Sequence, residues 1–505
     1  MIRRRPNSPL SRHRQGDATG TARHSRPAAP GAGLNLGRGV SDNHALVDGA
    51  ENEQLYQYET SVKKSFDAIV PALKKVSAYQ HEEDFVVRAQ AVAMQELGFE
   101  LPKDILEDAW VEQLDMRSLF AWCVFKSYQR YCDDFFSTAP LSNAGLSKSG
   151  AEEFQNFIQQ CGFHTMDVSP CADGRLAHAI RYVLRLPIES VRRKSYAGAM
   201  FDIDNSIQKW VETEMLRFRE GRPNTADEPT RYLKAVAYHF SSVDPSHEGC
   251  AAHGSDDALA AKEGLNRLKA FQQAIENSFC CGASIDLLLL GIDTDTDAIK
   301  VHIPDANGDI DLDRFVDAKE VYQQTQRLSA NDAMQRVEQM IRDVQATVGE
   351  GMLMLISKLI INNLSQIEYV MHYYGSHYED IGHAERFIGA GIGFEEVQLR
   401  NLTYFAYLNT VEESTADFDV GIKIFSKLNV AHGLPVPVVI RFDYHGQVPG
   451  SRDRAIEHCQ RVSDAAAARY SDLADKGLLH TLLVIRDCNA NGQIEILGSS
   501  LSTTI

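Results

Sequence analysis

Apolar positions recur every three or four residues from about residue 50, which is the period of an amphipathic helix. The stripe of the first helix consists of Leu55, Tyr58, Val62, Phe66, Ile69, Leu73 and Val76. Two further helices are predicted, one over Phe85 to Leu97 with Gly98 as its C-terminal cap, and one over Leu114 to Phe136. These segments predict a helical domain at 50–145, in which no residue suggests a chemical role.

The pattern changes near residue 146, where short apolar runs alternate with helical segments, as in α/β domains. The run Leu287–Leu290 is apolar on both faces, which is typical of a buried central strand. Long helices are predicted at about 331–345 and 351–372. We therefore expect an α+β or α/β fold, with one such domain at 146–386 and a second at 387–505. The predicted strands are His164–Ser169, Tyr232–Phe240, Ile285–Ile292, Ala298–Ile303, Val436–Phe442 and Leu479–Ile485, with a hairpin turn at Asn491-Gly492.

The charge of this chain of 505 residues is unevenly distributed. Residues 1–40 hold eight arginines, no lysine and one acid, Asp17, which gives +7. Because the whole chain carries −18, the remainder carries −18 − 7 = −25. An acidic body of this kind repels nucleic acid and anionic membranes, and no apolar run reaches the roughly 20 residues of a membrane span. We expect a soluble protein whose folded part binds neither nucleic acid nor anionic membranes.

Residues 1–49 are rich in Arg, Pro, Gly and Ser and have no apolar period, so we expect a disordered basic arm. An anion-seeking docking tail and a passive linker both fit this composition. An organelle transit peptide is also Arg-rich, but four prolines and six glycines in the first 40 residues oppose its amphipathic helix.

Nine cysteines in a large chain without an apolar signal sequence indicate a reducing cytoplasm rather than a disulfide framework. Cys280 and Cys281 are adjacent and could bridge only with strain, so we interpret them as two buried thiols.

The sharpest chemical signal is DVSPCADGRL, in which Cys171 directly follows a predicted strand. His239 lies at the end of another strand, and Cys250 follows it after a polar loop. Open α/β sheets place their sites beyond the carboxyl ends of strands. A catalytic zinc takes three thiolate or imidazole ligands and leaves a fourth position for water. The sequence therefore predicts Cys171, His239 and Cys250 as zinc ligands.

Asp173 and Arg175 follow Cys171 by two and four residues. A guanidinium that forks onto the carboxylate would keep it ionised and able to accept a hydrogen bond from the attacking water. In isolation such a pair would be an ordinary turn ion pair, but its place beside a candidate ligand favours a catalytic role.

Cys-x-Asp-x-Arg after a strand, a strand-terminal His and a second Cys together resemble the beta-class carbonic anhydrases. The segment SYAGAM at 195–200 is similar to their Asn-Ala-Gly-Asn turn. The beta class has two residues between His and Cys, whereas ten separate His239 from Cys250. His247 would restore the short spacing and is the rival ligand.

From about residue 50 to its C-terminus the chain resembles the carboxysomal shell carbonic anhydrases, also called the epsilon class. The segments that carry the resemblance are CADGR, NTADEPTRYL, CAAHGSDD, CCGASIDLLLLGIDTDTDAIKVHIPD, NNLSQIEYV and DIGHAER. That family uses the long spacing, which favours His239 over His247. It also implies that His383, from DIGHAER, lies beside the metal, where it either shuttles a proton or only bonds a neighbouring loop.

The resemblance also implies an architecture and a setting. The expected domains are a helical N-terminal domain, a domain with one zinc ion, and a C-terminal domain of similar fold without metal, since Cys459 and Cys488 there lack a Cys-x-Asp-x-Arg motif. The expected function is reversible hydration of carbon dioxide to bicarbonate inside the carboxysome. The basic arm would bind Rubisco, shell or scaffold proteins would be further partners, and the chain would form a homo-oligomer built from dimers.

Two other functions stay open from the sequence. One is a non-catalytic scaffold with a structural zinc that recruits Rubisco, and the other is a hydrolase of another small triatomic molecule such as carbon disulfide. His178 and His253 lie near the ligands in sequence and are weaker candidates for the site. The acidic runs Asp293–Ala298 and Asp305–Asp313 lack the Gly and Glu of a calcium loop, and Gly389–Gly393 lacks the third glycine of a dinucleotide motif.

Overall fold

The predicted helical domain is a set of packed helices between residues 49 and 138. A computed structural model describes residues 44–109, 113–138, 148–187, 190–225, 227–279, 283–406, 415–489 and 493–505. Residues 1–43 of the basic arm, Cys280, Cys281 and the Asn491-Gly492 turn lie outside these ranges. The helices are α1 (Gly49–Asp67), α2 (Ile69–Ser77), α3 (Phe85–Glu96), α4 (Lys103–Asp108) and α5 (Met116–Thr138).

The first apolar stripe spans two helices rather than one. The helices α1 and α2 meet at Ala68, because Pro71 has no N–H to continue the helical hydrogen bonds. The start of α1 is capped by Asp48, whose carboxylate accepts the Glu51 N–H at 3.0 Å.

A six-stranded sheet in the order β2-β1-β3-β4-β5-β6 forms the centre of the second region. Strands β2, β1, β3 and β4 run parallel, and β5 and β6 are antiparallel to their neighbours. The strands are β1 (Thr165–Pro170), β2 (Arg192–Arg193), β3 (Thr230–Phe240), β4 (Ala283–Asp293), β5 (Ile299–Pro304) and β6 (Ile310–Asp317). The helices around them are α6 (Lys148–Gln160), α7 (Ile203–Arg219), α8 (Asp257–Phe279), α9 (Ala318–Thr325), α10 (Ala330–Val344) and α11 (Glu350–Tyr373).

The C-terminal region repeats this pattern in a five-stranded sheet of order β11-β10-β9-β7-β8. Again four neighbouring strands are parallel and the strand beyond them, β11, is antiparallel. The mixed helical and α/β architecture expected from the sequence is therefore confirmed. The elements are β7 (Phe387–Ile392), β8 (Thr403–Ala406), α12 (Thr415–Leu428), β9 (Val436–Tyr444), α13 (Ser451–Arg469), α14 (Ser471–Ala474), β10 (Leu479–Asp487) and β11 (Ile494–Ser499).

The helical domain packs on one face of the C-terminal sheet. Phe125 and Tyr128 of α5 share an apolar core with Phe387 and Val439, and the indole N–H of Trp122 donates to the Thr504 carbonyl at 2.9 Å. The other face of this sheet is covered by α12 and α13. Among the described helices none combines the length and apolar character needed to cross a membrane. The boundaries at 50, 146 and 387 stay predictions.

Candidate metal and catalytic site

Parallel pairing of β1 and β3 brings the first two candidate ligands together. Cys171 follows the last residue of β1, and its N–H donates to the Ala237 carbonyl of β3 at 3.1 Å. His239 is the next-to-last residue of β3, at the same edge of the sheet. Cys250 stands at the start of a short helical turn beyond β3. One ligand atom from each of Cys171, His239 and Cys250 lies within 4.8 Å of the others, and all three side chains are buried.

The SYAGAM turn closes the other side of Cys171. Tyr196 forms a bridge to Cys171, and its carbonyl accepts the Ala172 N–H at 2.9 Å. Gly198 has φ +64°, and a Cβ there would lie 2.7 Å from Nε2 of His253. The turn therefore requires glycine at this position, both for its backbone conformation and for the close approach of the imidazole.

The chemistry of the three side chains fits a soft divalent cation. Hydrogen bonding to Cys250, together with burial, raises the pKa of the Cys171 thiol well above its ordinary value, while the bond to Cys171 lowers the pKa of Cys250. The Nδ1 atom of His239 is buried and has no hydrogen-bond partner among the described residues. A metal ion would supply the positive charge that lets both thiols ionise.

Arg175 forks onto Asp173 beside these three side chains. Its Nη2 donates to Oδ2 at 2.8 Å and its Nε to Oδ1 at 3.0 Å, while Nη1 donates to the carbonyls of Glu248 and Ile381 at 2.6 and 3.0 Å. Burial would raise the pKa of Asp173, but Arg175 and the nearby imidazoles outweigh it and hold that pKa well below its ordinary value. Oδ2 of Asp173 lies 3.4 Å from Nε2 of His239.

His383 also lies beside the Asp173 carboxylate. Its Nε2 lies 3.8 Å from Oδ2 of Asp173, and its Nδ1 lies 2.9 Å from Oε1 of Glu385. Burial lowers the pKa of His383, but the carboxylates of Asp173 and Glu385 outweigh it and raise the pKa to about 9. The imidazole is 23 % exposed, so it joins the buried site to solvent.

Glu385 is a site residue that the sequence analysis missed. Its Oε1 also accepts the Gly174 N–H at 3.1 Å, and a Cβ on Gly174 would come within 2.4 Å of the Glu385 side chain. The only signal was its place two residues after His383 in DIGHAER.

Three histidines near the candidate ligands in sequence lie outside the cluster. His247, the rival ligand, has a side chain 75 % exposed and pairs with Asp244. His178 is buried, with Nε2 2.7 Å from Oδ2 of Asp297. His253 has its Nε2 3.2 Å from the Gly198 carbonyl. The geometry thus brings His239, rather than His247, to the two thiols.

The corresponding corner of the C-terminal sheet has different chemistry. Gly393 follows β7, and Asp443 near the end of β9 is paired with the buried Arg441. Cys459 is buried and its thiol donates to the Val484 carbonyl at 3.3 Å. In the part of this region that the structure describes, no group of metal-binding side chains comes together. The absence of metal from this domain stays a prediction.

A buried Cys₂His cluster at the carboxyl edge of a parallel sheet, with an Arg-held carboxylate and an imidazole beside it, could bind a metal ion and is typical of metal-dependent enzymes. The family model described as "Carboxysome Shell Carbonic Anhydrase, catalytic domain" matches residues 153–383. The N-terminal and C-terminal models of the same family match residues 44–136 and 384–501.

Related proteins extend over nearly the whole chain. A carboxysome shell carbonic anhydrase of Prochlorococcus marinus (strain MIT 9313) is 57 % identical over 468 residues, which is 92 % of this chain and 90 % of the relative. The protein of the same name from Parasynechococcus marenigrum (strain WH8102) is 54 % identical over 96 % of this chain and 84 % of its own length. That of Halothiobacillus neapolitanus (strain ATCC 23641 / c2) is 45 % identical over 90 % of each.

The chain belongs to the carboxysome shell carbonic anhydrase family. It is an enzyme of the carboxysome that catalyses the reversible hydration of carbon dioxide. The fold, activity and location expected from the sequence resemblance are thereby confirmed.

Proposed function

We propose that this carbonic anhydrase works with one zinc ion held by Cys171, His239 and Cys250. The supporting observation is the convergence of these three buried side chains within 4.8 Å, directly beside an ionised carboxylate. Two thiolates and an imidazole suit zinc among the common metals. Bound there, zinc would act as a Lewis acid that makes water a nucleophile at neutral pH.

Asp173 orients the attacking water. Arg175 holds the carboxylate ionised with one hydrogen bond to each oxygen. Oδ2 keeps a second lone pair as an acceptor and lies 3.4 Å from Nε2 of His239, at the buried site. A hydrogen bond from the water to this oxygen would turn a lone pair toward carbon dioxide. The fixed position of the carboxylate removes the cost of ordering it during the reaction.

His383 carries the proton between the site and solvent. Glu385 engages Nδ1, so Nε2 is the nitrogen that faces Asp173, and part of the ring reaches solvent. Imidazole is suited to this role because it can both accept and donate a proton. The carboxylates of Asp173 and Glu385 favour its protonated form, which can donate a proton to the site during dehydration. The alternative is that His383 only forms a structural hydrogen bond to a neighbouring loop. That role would need the contact of Nδ1 with Glu385 but would not explain why Nε2 faces Asp173.

The direction of use follows from the compartment. In the carboxysome the useful reaction is dehydration of bicarbonate, which delivers carbon dioxide to Rubisco. The +7 charge of residues 1–40 against −25 for the rest of the chain supports an arm that docks on an acidic surface of Rubisco. Association with shell or scaffold proteins and a homo-oligomer built from dimers are proposed with it.

Stopped-flow carbon dioxide hydration by zinc-quantified protein tests the proposal. We expect fast hydration by the wild type, loss of both zinc and rate in Cys171→Ser, and loss of rate with zinc retained in Arg175→Ala. One zinc per chain with hydration no faster than buffer would instead indicate the structural zinc of a scaffold. Assays with carbon disulfide test the alternative that the protein hydrolyses another small triatomic molecule. No feature of the described site favours that alternative.

A further inference from the structure

Two neighbouring residues of the C-terminal region, Arg400 and Asn401, contact the segments next to the candidate site. Both are buried, with 1 % and 0 % of their surfaces exposed, and they lie between β7 and β8. No sequence motif predicted a functional role for Arg400 or Asn401. Several of their hydrogen bonds lead to the Gly174 turn and to residues 380–382, directly before His383.

Asn401 holds two of these segments at once. Its backbone N–H donates to the Gly174 carbonyl at 2.8 Å, inside the turn that carries Asp173 and Arg175. Its side-chain amide donates to Oδ2 of Asp380 at 3.1 Å and to the Gly382 carbonyl at 3.0 Å. Because both side-chain partners are acceptors, the amide must present its NH₂ group to them.

Arg400 reinforces the same loop. Its Nη1 donates to Oδ1 of Asp380 at 2.9 Å, and its Nη2 donates to the Asp380 and Thr294 carbonyls at 2.9 and 3.1 Å. The guanidinium also lies over the Tyr378 ring, 4.1 Å from its centroid. The segment 380–382 is thus clamped from the side of the C-terminal region.

The clamped segment ends directly before His383. The Ile381 carbonyl within it accepts a hydrogen bond from Arg175 at 3.0 Å. The segment therefore contacts the residue that holds Asp173 and leads directly into His383. The backbone of Asn401 is at φ +55°, a conformation that asparagine tolerates better than most residues and glycine adopts freely. In this conformation the backbone N–H of Asn401 bonds to the Gly174 turn while its side-chain amide bonds to the loop before His383.

We propose that Asn401, supported by Arg400, is a positioning residue that sets the distance between His383 and Asp173. The C-terminal region then contributes to catalysis by holding the proton carrier in register, although it supplies none of the proposed ligands. This inference rests on the proposed role of His383.

Asn401→Gly separates the two functions of Asn401. Glycine keeps the backbone N–H to Gly174 and accepts φ +55° without strain, so only the two amide bonds to the 380–382 loop are lost. The matched control is Asn429→Gly, since Asn429 is also buried in the C-terminal region and its amide donates to the Pro435 carbonyl at 2.7 Å, away from the proposed site residues.

The measurement is carbon dioxide hydration at low and high buffer concentration, with zinc content and Tm recorded for each variant. For Asn401→Gly we expect kcat about tenfold lower in dilute buffer, kcat/KM within twofold of wild type, and recovery of kcat with added imidazole. Asn429→Gly should lower Tm without a loss of kcat that depends on buffer concentration. Equal loss of kcat and kcat/KM, or loss that imidazole does not restore, would overturn the inference.

His383→Ala in the same assay keeps the two proposals apart. If His383→Ala shows the buffer-dependent loss and Asn401→Gly does not, the positioning role is wrong while the proton carrier stands. If His383→Ala itself hydrates at the wild-type rate in dilute buffer, the proposed role of His383 is wrong, and the positioning role falls with it.

Discussion

The Arg175 guanidinium meets the Asp173 carboxylate with two parallel hydrogen bonds, at 2.8 and 3.0 Å, and both side chains are buried. Such a fork fixes the plane of the carboxylate as well as its charge. A single ammonium group in its place could keep the charge but not the orientation.

We therefore expect Arg175→Lys to lower kcat/KM for hydration about 10- to 100-fold while zinc stays at one per chain. Stopped-flow kinetics with metal analysis measures both quantities. The matched control is Arg469→Lys, because Arg469 forks onto Asp419 at 2.9 and 2.5 Å on the surface and should contribute little. Wild-type kinetics in Arg175→Lys would show that orientation of Asp173 is unimportant.

The choice between the two candidate histidine ligands is directly testable. His239 lies in the buried cluster with the two thiols, whereas the His247 side chain is 75 % exposed. His239→Ala should lose zinc and hydration together, and His247→Ala should retain both. Zinc per chain after gel filtration decides this, and depletion of zinc in His247→Ala would contradict the proposed ligand set.

Asp417 should make stability depend on pH. Burial raises the pKa of Asp417 to about 6, although its Oδ1 accepts the Ala197 N–H at 2.6 Å. Since its pKa in the unfolded chain is near 3.8, ionisation costs the folded state up to about 3 kcal/mol at pH 7, and this cost fades as pH falls through 6 toward 4. Asparagine keeps the acceptor oxygen without the charge.

We expect Asp417→Asn to be more stable than wild type at pH 7 to 8, with the difference shrinking by about half at pH 5. Thermal or urea unfolding across this pH range measures it. A difference that stays constant with pH would rule out ionisation of Asp417 as its cause.

Arg441 is the centre of a buried charge cluster in the C-terminal region. It is fully buried and pairs with Glu396 and with Asp443, whose Oδ1 lies 2.7 Å from its Nε. Arg441→Met would remove the cation paired with the buried Glu396 and leave Asp443 with Arg486, whose Nη1 lies 3.1 Å from its Oδ2. The substitution should cost about 3 to 5 kcal/mol of stability. Because this cluster holds none of the proposed ligands, zinc content and hydration per folded molecule should stay near wild type; loss of zinc would contradict a purely structural role.

The basic arm should bind Rubisco by charge. Removal of residues 1–43 should leave hydration unchanged and abolish binding to purified Rubisco, and binding by the full chain should weaken between about 0.05 and 0.3 M salt. Replacing the eight arginines of residues 1–40 with glutamine separates charge from length. Unchanged binding by that variant would show that charge does not carry the interaction, and unchanged binding after removal of residues 1–43 would favour the passive linker.

Much of the fold was predictable because local pattern determines it. The strand predicted at Tyr232–Phe240 lies within β3, and the helix predicted at 351–372 lies within α11. The first helix was predicted too long, since apolar spacing continues through Ala68 while Pro71 interrupts the backbone hydrogen bonds. The strand β6 was missed because four of its eight residues are charged and its apolar alternation is weak.

The available chemistry was readable from local sequence, because CADGR places a thiol, a carboxylate and a guanidinium within five residues after a strand. Tertiary structure alone decided which distant groups complete the site. His239 lies beside Cys250 despite ten intervening residues, whereas His247, nearer in sequence, faces solvent. Asn401 of the C-terminal region bonds to Gly174, which is more distant still in sequence. The reason is physical, since such contacts depend on strand pairing and on packing between domains, which no local spacing encodes.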